Sequence, residues 1–518
     1  MWRISRKLRL TQNNKRLTNL PDEVMEKEQL IQQLKQKFEE LVTLSDGYIE
    51  SSDAMHDIEK GLLSHLLSIG LLLLRYIIAG KLSQSKDYEF DVDEQTEGQS
   101  KGRKSRRYLS LFGPLTIERP SHWVDGLGVV YKLDEYLQLP RGSYWSYNIQ
   151  ELVGESASEN DFRESVHLFN KLLNLDLRWE SSVRNTMQLG EYVEAYYEAN
   201  PAKSEPAAVC FSASFDGKGV PKVKKPKACP GNPKARRGKG EKPGTKQMAT
   251  VSVTSDFSPK QRSVETIVDA LMGAENRPAK AKEKPKQEQG SKENGWHKNI
   301  HRRAFLADQD KAVDYGIRDI KNRIGHADSR FVVPIDAGIG LEDKVRDAVK
   351  KYELENAFDG IILDIIHVLE YIWAAATAVF GEQSKLRTPW VRDMLTDLLN
   401  SKTQKVIDDL AAIRDKTKLS KSKKKQINKA ITYFTNHQHK MDYLTFIDKG
   451  YPISSAMAES TCGHLVKERM EQSGMRWSSS GAQKVMDLRA VKLNGDMEYF
   501  MNFVIGSERK IGLRKMAA

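Results

Sequence analysis

Three acidic residues stand in settings that can hold a carboxylate rigidly. Asp216 follows the apolar, β-favouring part of AVCFSASFDGKGV (208–220), Asp336 ends FVVPID, and Glu459 falls in AMAESTCGHLVKERM, which reads as helix. A strand that stops on an acid beside glycines commonly fixes that acid at a sheet edge. Three carboxylates gathered from two strand ends and a helix would form a site for hard divalent cations, which select oxygen ligands. Taken singly, each acid also has a plainer reading. An Asp before Gly at a strand end is a turn residue, and Glu459 can pair with Lys467 or Arg469 on a solvated helix face.

The elements around these acids read as alternating strands and helices. The strand to Asp216 leads into a basic loop, KKPKACPGNPKARRGKGEKPGTK, and a second strand near 247–255. That is a hairpin whose tip carries Lys224, Lys225, Arg236, Arg237 and Lys239 towards phosphates. The stretch 278–294 is poor in apolar residues and reads as a solvated excursion. A helix near 311–324, the strand 331–335, a helix over 342–352, the run FDGIILD and a long helix from Asp364 complete a β, α, β, α order, that of an α/β sheet. Asp364 directly precedes its helix and reads as an N-cap. His367 is either a satisfied core histidine or a group that orients a phosphate or base. Between Phe380 and Tyr451 no strand pattern occurs, so an all-helical insertion, with the basic run LSKSKKKQINK, separates the second and third acids.

Ahead of this region the chain is mostly helical. Helices over 22–44 and 53–78 form a helical hairpin or a dimer contact, and 62–78, interrupted by His65, Ser68 and Arg75, reads as a buried helix rather than a membrane span. After a polar linker, KGRKSRRYLSLFGPLTIERPSHW reads as a β-hairpin led by Arg103, Arg106 and Arg107. Within DFRESVHLFNKLLNLDLRWESSVRNTMQLG a helix, short turn and helix put Arg178, Arg184 and Asn185 on the second helix, where a helix-turn-helix would present them to a major groove.

A chain of 518 residues requires two to four domains. Its net charge of +12 is clustered, which points to a polyanionic partner and first to nucleic acid. Cys210, Cys229 and Cys462 are far apart and form no Cys-x-x-Cys pair, so neither a disulfide framework nor a zinc site is indicated and a reducing cytoplasm fits. The start, MWRISRKLRLTQNN, lacks the apolar run of a secretory signal.

GYPISSAMAESTCGHLVKERMEQSGMRWSSSGAQKVMDLRAVKLNGD, residues 450–496, resembles the carboxy-terminal signature of bacterial insertion-sequence transposases of the DDE type, the group called ISKra-four, related to Mutator-like transposases. SFDGKGVPK with its basic loop, VVPIDAGIGL and ILDIIHVLEYIWAAA agree with it in order, and YLSLFGPLTIERP and LDEYLQLPRG extend the likeness to about 103–496. The resemblance implies an α/β RNase H-like catalytic domain interrupted by the helical insertion and preceded by a mostly helical DNA-binding region with a β-hairpin. The corresponding layout is 1–83 helical, 84–142 linker and hairpin, 143–200 helix-turn-helix, 201–379 first catalytic part, 380–451 insertion and 452–518 closing helices. It makes Asp216, Asp336 and Glu459 catalytic metal ligands, with Asp364 and His367 in support. The second acid stands in Asp-Ala-Gly where relatives often have Asp-Gly, which leaves Asp336 and Asp364 both open as the second ligand.

Two Mg²⁺ or Mn²⁺ ions, about 3.5 to 4 Å apart, would then serve strand cleavage by water and strand transfer by the released 3′ hydroxyl. Lys467, Arg469, Arg476 and Trp477 beside the glutamate suit phosphate neutralisation and base stacking, although a Trp is more often core. Expected partners are double-stranded DNA, at transposon ends and target, and further copies of the chain in a homodimer or higher oligomer. No membrane is expected, and the setting is the bacterial cytoplasm. The alternatives are an inactive or regulatory protein that binds transposon ends, and an RNase H-like nuclease without strand transfer.

Overall fold

A computed structural model describes residues 27–84, 99–124, 128–223, 246–273, 296–338, 340–416 and 418–517. The chain divides into two units, one of Met1–Leu152, Val166–Leu177 and Asn502–Ala518, the other of Val153–Ser165 and Arg178–Met501.

In the first unit α1 (Lys27–Glu50) and α2 (Met55–Gln84) form a helical hairpin. Leu71, Leu74, Ile78 and Leu82 recur at helical spacing along α2 and pack on Leu115, Ile117 and Leu133. The rest of α2 departs from the buried helix expected: Leu63, Leu66, Leu73 and Ile77 are exposed. By length and composition Met55–Leu82 is sufficient to cross a membrane. The antiparallel hairpin of β1 (Gln99–Ser110) and β2 (Gly113–Val124) forms as read, and β3 (Gly128–Val130) pairs with β2. Its turn closes on Gly113, whose φ of 131° favours glycine. Asp134 of α3 (Lys132–Tyr136) receives Arg106 and Arg119 from the two strands. Helices α4 (Tyr147–Glu159) and α5 (Glu164–Leu173) cross the division between the units.

The second unit opens its regular structure with α6 (Trp179–Ala199). Then come β4 (Cys210–Pro221), β5 (Lys246–Phe257), α7 (Val264–Met272), β6 (His297–Leu306), α8 (Gln309–Arg323), β7 (Arg330–Ile335), α9 (Leu341–Lys351), β8 (Phe358–Leu363) and α10 (Ile365–Phe380). The sheet order is β6-β5-β4-β7-β8. β4, β5 and β6 pair antiparallel, while β7 is parallel to both β4 and β8.

Alternation along the strands fixes the two faces of this sheet. Phe211, Ala213 and Phe215 of β4 and Phe331, Val333 and Ile335 of β7 pack with Val313, Ile317 and Ile320 of α8 and Leu341 and Val345 of α9. On the face that carries Ser212, Ser214 and Asp216, Val332 and Ile362 pack with Val264, Val268, Val368 and Leu395, and Val220, Val251 and Val253 with Ala458, Cys462 and Val485. Arg323, buried at the end of α8, bonds Asp256 at 2.6 Å, Asp319 at 3.0 Å and the Asn299 carbonyl at 2.9 Å, and so ties that helix to β5 and β6.

The insertion consists of α11 (Arg387–Leu399), α12 (Thr403–Lys416), α13 (Lys421–His437) and α14 (Tyr443–Asp448). It is not an appended module, because Leu395, Leu398, Val406 and Phe434 share one apolar cluster with Val332, Ile362 and Leu363 of the sheet. After it come α15 (Ala456–Thr461), a π-helical stretch Cys462–Lys467, α16 (Glu468–Met470), α17 (Ser479–Leu493) and α18 (Met497–Ala517).

The expected DNA-binding segment 143–200 does not form a module of its own. Most of α5 falls in the first unit and α6 in the second. α6 lies against α17 so closely that a Cβ on Gly190 would come within 2.7 Å of the Lys484 Cβ.

Candidate active site

Register sets the acids side by side. Phe215 pairs with Ile335, and Ile335 with Leu363, in parallel strands. The next residues are Asp216, Asp336 and Asp364, at one level on three neighbouring strands that run about 4.8 Å apart. β4 does not stop at Asp216, however. It continues to Pro221, paired with β5 as far as Pro221↔Lys246, and the Trp477 N–H donates to the Pro221 carbonyl at 3.0 Å. The glycines read as a turn serve packing instead, since a Cβ on Gly217 or Gly219 would come within 3.0 Å of the Met248 methyl or the Lys246 side chain.

The three aspartates differ in what occupies their oxygens. Asp364, only 1% exposed, accepts the Ile366 N–H with Oδ1 at 2.7 Å, the N-cap expected. Its Oδ2 accepts the Ser455 N–H at 3.1 Å and the Ser455 hydroxyl, so both oxygens are engaged by protein. Asp336 is half-buried and, among the described residues, accepts one bond, from the Gly338 N–H at 3.0 Å. Burial first, then the negative charges of Asp216 and Asp364, push its carboxyl above the usual range against the pull of the Gly338 N–H and His367. Asp216 accepts from the Gly217 N–H at 2.6 Å, and the thiol of Cys462 lies close enough for that charge to raise its pKa.

Glu459 arrives from the other side of the sequence. Its N–H donates to the Ser455 carbonyl at 3.1 Å, in the first turn of α15, and its side chain is exposed. Among the described residues it makes no ion pair, so the plain reading that joined it to Lys467 or Arg469 is not realised. One turn later the buried Cys462, at the start of the π-helical stretch, is near enough to both acids for the charges of Asp216 and Glu459 to act on it. Its thiol is pushed far up, by burial and then by Asp216. π-Helical turns recur at functional sites because they re-aim side chains within a helix.

His367, half-exposed, lies 3.4 Å from Glu370. Burial works to lower its pKa, yet Glu370, Asp364 and Asp336 together raise it. Tyr371 and Tyr433 stack at 4.0 Å, 15° from parallel, and the Tyr433 hydroxyl is pushed up by burial, Tyr371 and the charges of Asp336 and Asp364.

Sequence reasoning missed four residues here. Cys462 stands three residues after Glu459 and Lys218 two after Asp216, spacings that share a helix face and a strand face. Ser455 and Tyr433 had no local signal, as they meet the acids only through the fold.

The residues proposed to bind DNA separate by exposure. Arg103, Arg107, Arg178, Arg184, Lys467 and Arg476 are exposed. Arg106 instead bonds Asp134 and the carbonyls of Pro140 and Ser143, with 15% of its side chain exposed. Asn185 is 3% exposed on the packed face of α6 and cannot reach a base edge. Arg469 and Trp477 are corrected in the same way. The Arg469 guanidinium is buried 4.9 Å from the Trp477 ring centre and 5.2 Å from that of Phe162, with Nε bonding the Ala157 carbonyl, and the Trp477 indole donates to the Met470 carbonyl. Lys224, Lys225, Arg236, Arg237 and Lys239 lie outside the described residues.

Among the described residues no three His, Cys, Asp or Glu side chains converge closely enough to enclose one metal ion. The donor chemistry nonetheless fits a hard cation. Asp216 and Asp336 offer oxygens from adjacent strands, and burial first, with the charges of Asp216 and Asp364 after it, makes the Asp336 carboxylate costly in a way that a divalent cation would relieve. Comparison with protein-family models and with curated proteins gives no match for this chain.

Proposed function

We propose that this chain is a metal-dependent DNA transposase of the DDE type, which cuts DNA at the ends of an insertion sequence and joins them to a target. The observation that carries this reading is the Phe215↔Ile335 register, which leaves Asp216 and Asp336 adjacent on parallel strands. Counted within its own sheet, the strand order is third, second, first, fourth, fifth, with the first three antiparallel and the fourth and fifth parallel to the first. That order supports an RNase H-like catalytic domain.

Asp216 and Asp336 would hold Mg²⁺ or Mn²⁺, with Glu459 as the third acid. Two such ions, when bound, neutralise charge at an in-line phosphorus and make a bound water nucleophilic at neutral pH. The chain's own groups prepare the setting. Asp364 ties Ser455, and with it the first turn of the glutamate helix, to the strand end beside Asp336. His367 lies near Asp336 with a pKa that Glu370, Asp364 and Asp336 raise against burial, and Lys218 adds a positive charge on the Asp216 face of β4. The Tyr433 hydroxyl stays protonated and can donate to a phosphate oxygen. Exposed Lys467 and Arg476 flank this region for backbone contacts. The proposed setting is the bacterial cytoplasm, with a homodimer or higher oligomer assembled on DNA.

The test is incubation of the full chain with Mg²⁺, a duplex that carries the element's own end and a target plasmid. Nicking that leaves a 3′ hydroxyl, followed by joining, is expected. Asp216→Ala, Asp336→Ala and Glu459→Ala should each abolish both steps while DNA binding persists. Cutting without joining would move the reading to a nuclease, and binding without cutting to a regulatory protein.

A further inference from the structure

The helical insertion carries a second feature that the catalytic reading leaves unused. A depression of about 590 Å³ opens between α10, α13 and the start of α11, lined by Trp373, Thr377, Arg387, Ser422, Lys423 and Gln426 with two alanines of α10. Its charge is one-sided, because Arg387 and Lys423 line it and no carboxylate does. Among the described residues neither cation has an acidic partner, unlike Lys402 and Lys405 of the same insertion, which both pair with Asp397. Arg387 is braced rather than free: its guanidinium lies 5.0 Å from the centre of the Trp373 ring and Nη1 is 3.5 Å from the Thr377 hydroxyl. A planar cation held on an indole face, without an acidic partner among the described residues, is suited to two-pronged contact with a phosphate. Lys423 and the Ser422 hydroxyl, from the first turn of α13, supply further donors.

The depression also has a defined relation to the acids. Asp364, His367, Tyr371, Ala374 and Ala378 recur at intervals of three and four along α10, so one stripe of that helix runs from the acid cluster into the depression. At ~1.5 Å per residue, Trp373 and Thr377 lie roughly 13 and 20 Å beyond Asp364. That is about four to six nucleotides of a B-form strand at ~3.4 Å each.

We infer that this depression is a phosphate-binding site for the DNA backbone, in which Arg387 and Lys423 hold a phosphodiester about four to six nucleotides from the scissile bond. The inference rests on the DNA-processing reading, and its test separates the two. A fluorescein-labelled random-sequence duplex is titrated with the full chain over a series of salt concentrations. Wild type should bind with a steep salt dependence, and Arg387→Ala with Lys423→Ala should lower the slope of log K against log salt by about 0.9 for each phosphate no longer neutralised. Arg387→Lys with Lys423→Arg should keep the slope, and so should Lys402→Ala with Lys405→Ala. If wild type shows no salt-dependent binding, the DNA reading itself fails. If wild type binds and the Arg387, Lys423 double variant keeps its slope, only the phosphate site is overturned. Should that double variant fold poorly, Lys423→Ala alone, at an exposed position, must still lower the slope, and an unchanged slope overturns the site.

Discussion

Asp364 accepts both the backbone N–H and the hydroxyl of Ser455, a residue 91 positions later in the chain, while its other oxygen caps α10. Loss of that carboxylate removes a cap worth about 1 kcal/mol and two bonds to a buried charge. Asp364→Ala should therefore destabilise the protein by about 3 to 5 kcal/mol, read from urea unfolding. An unchanged unfolding midpoint together with lost Mg²⁺-dependent cutting would make Asp364, rather than Asp336, the second metal ligand.

Asp336 carries the opposite expectation. Its folded-state carboxyl is raised, by burial first and then by Asp216 and Asp364, so the native state binds more protons than the unfolded chain just above pH 3.8. Stability then falls as pH rises from the unfolded value through the folded one, and the cost persists at neutral pH. Asp336→Asn should raise the melting temperature in metal-free buffer. Mg²⁺ should raise that of wild type more than that of the variant, by mass action on the folded state. A variant that melts lower than wild type without metal would count against the carboxylate cluster.

His297 supplies a pH dependence of its own. Its Nδ1 lies 2.8 Å from the Ser255 hydroxyl, and burial, with Lys260 second, pushes its pKa down to about 4 from 6.5. A histidine kept neutral in the fold contributes full stability above the unfolded value and loses it as pH falls from 6.5 towards 4. At ~1.4 kcal/mol per pH unit the loss reaches at most about 3 kcal/mol. Denaturant titrations at pH 7 and pH 5 should show the fall, and His297→Gln should flatten it; an equal slope in the variant would assign the dependence elsewhere.

Arg323 is fully buried among Asp256, Asp319 and the Asn299 carbonyl. Arg323→Ala takes the guanidinium from two buried carboxylates, leaving Asp256 with no cation among the described residues, and should cost about 3 to 5 kcal/mol. Arg323→Lys should recover only part of this, since one ammonium cannot reproduce the fork that reaches both acids and the carbonyl. Thermal melts of the two variants check the order.

The sequence disclosed what local pattern determines. Strand and helix periodicity located Asp336 and Asp364 at strand ends and found the helical insertion, the β1–β2 hairpin and the cap on α10. It misled where one residue type serves two purposes. Gly217 and Gly219 look like a turn but admit Met248 and Lys246 to β4. Ser181, Ser182, Asn185 and Thr186 look like a polar face, yet they are the buried face of α6, where small side chains suit close helix packing. Arg469 could not be read at all: its carbonyl partner, Ala157, is 312 positions away, and nothing near a cation in the sequence tells that aromatic rings will enclose it.

The parallel pairing of β4 with β7 also bears on how the protein is made. Ser214 bonds the Pro334 carbonyl across 120 residues, and the helix of Glu459 joins only after the whole insertion has been synthesised. Contacts this distant form late, after long loops have closed. A nascent chain on the ribosome therefore carries Asp216 and Asp336 through the synthesis of the whole insertion without the third acid, and a transcript broken anywhere within the insertion yields a chain that lacks the Glu459 helix. Synthesis of the Glu459 helix would then be the event that arms the proposed enzyme.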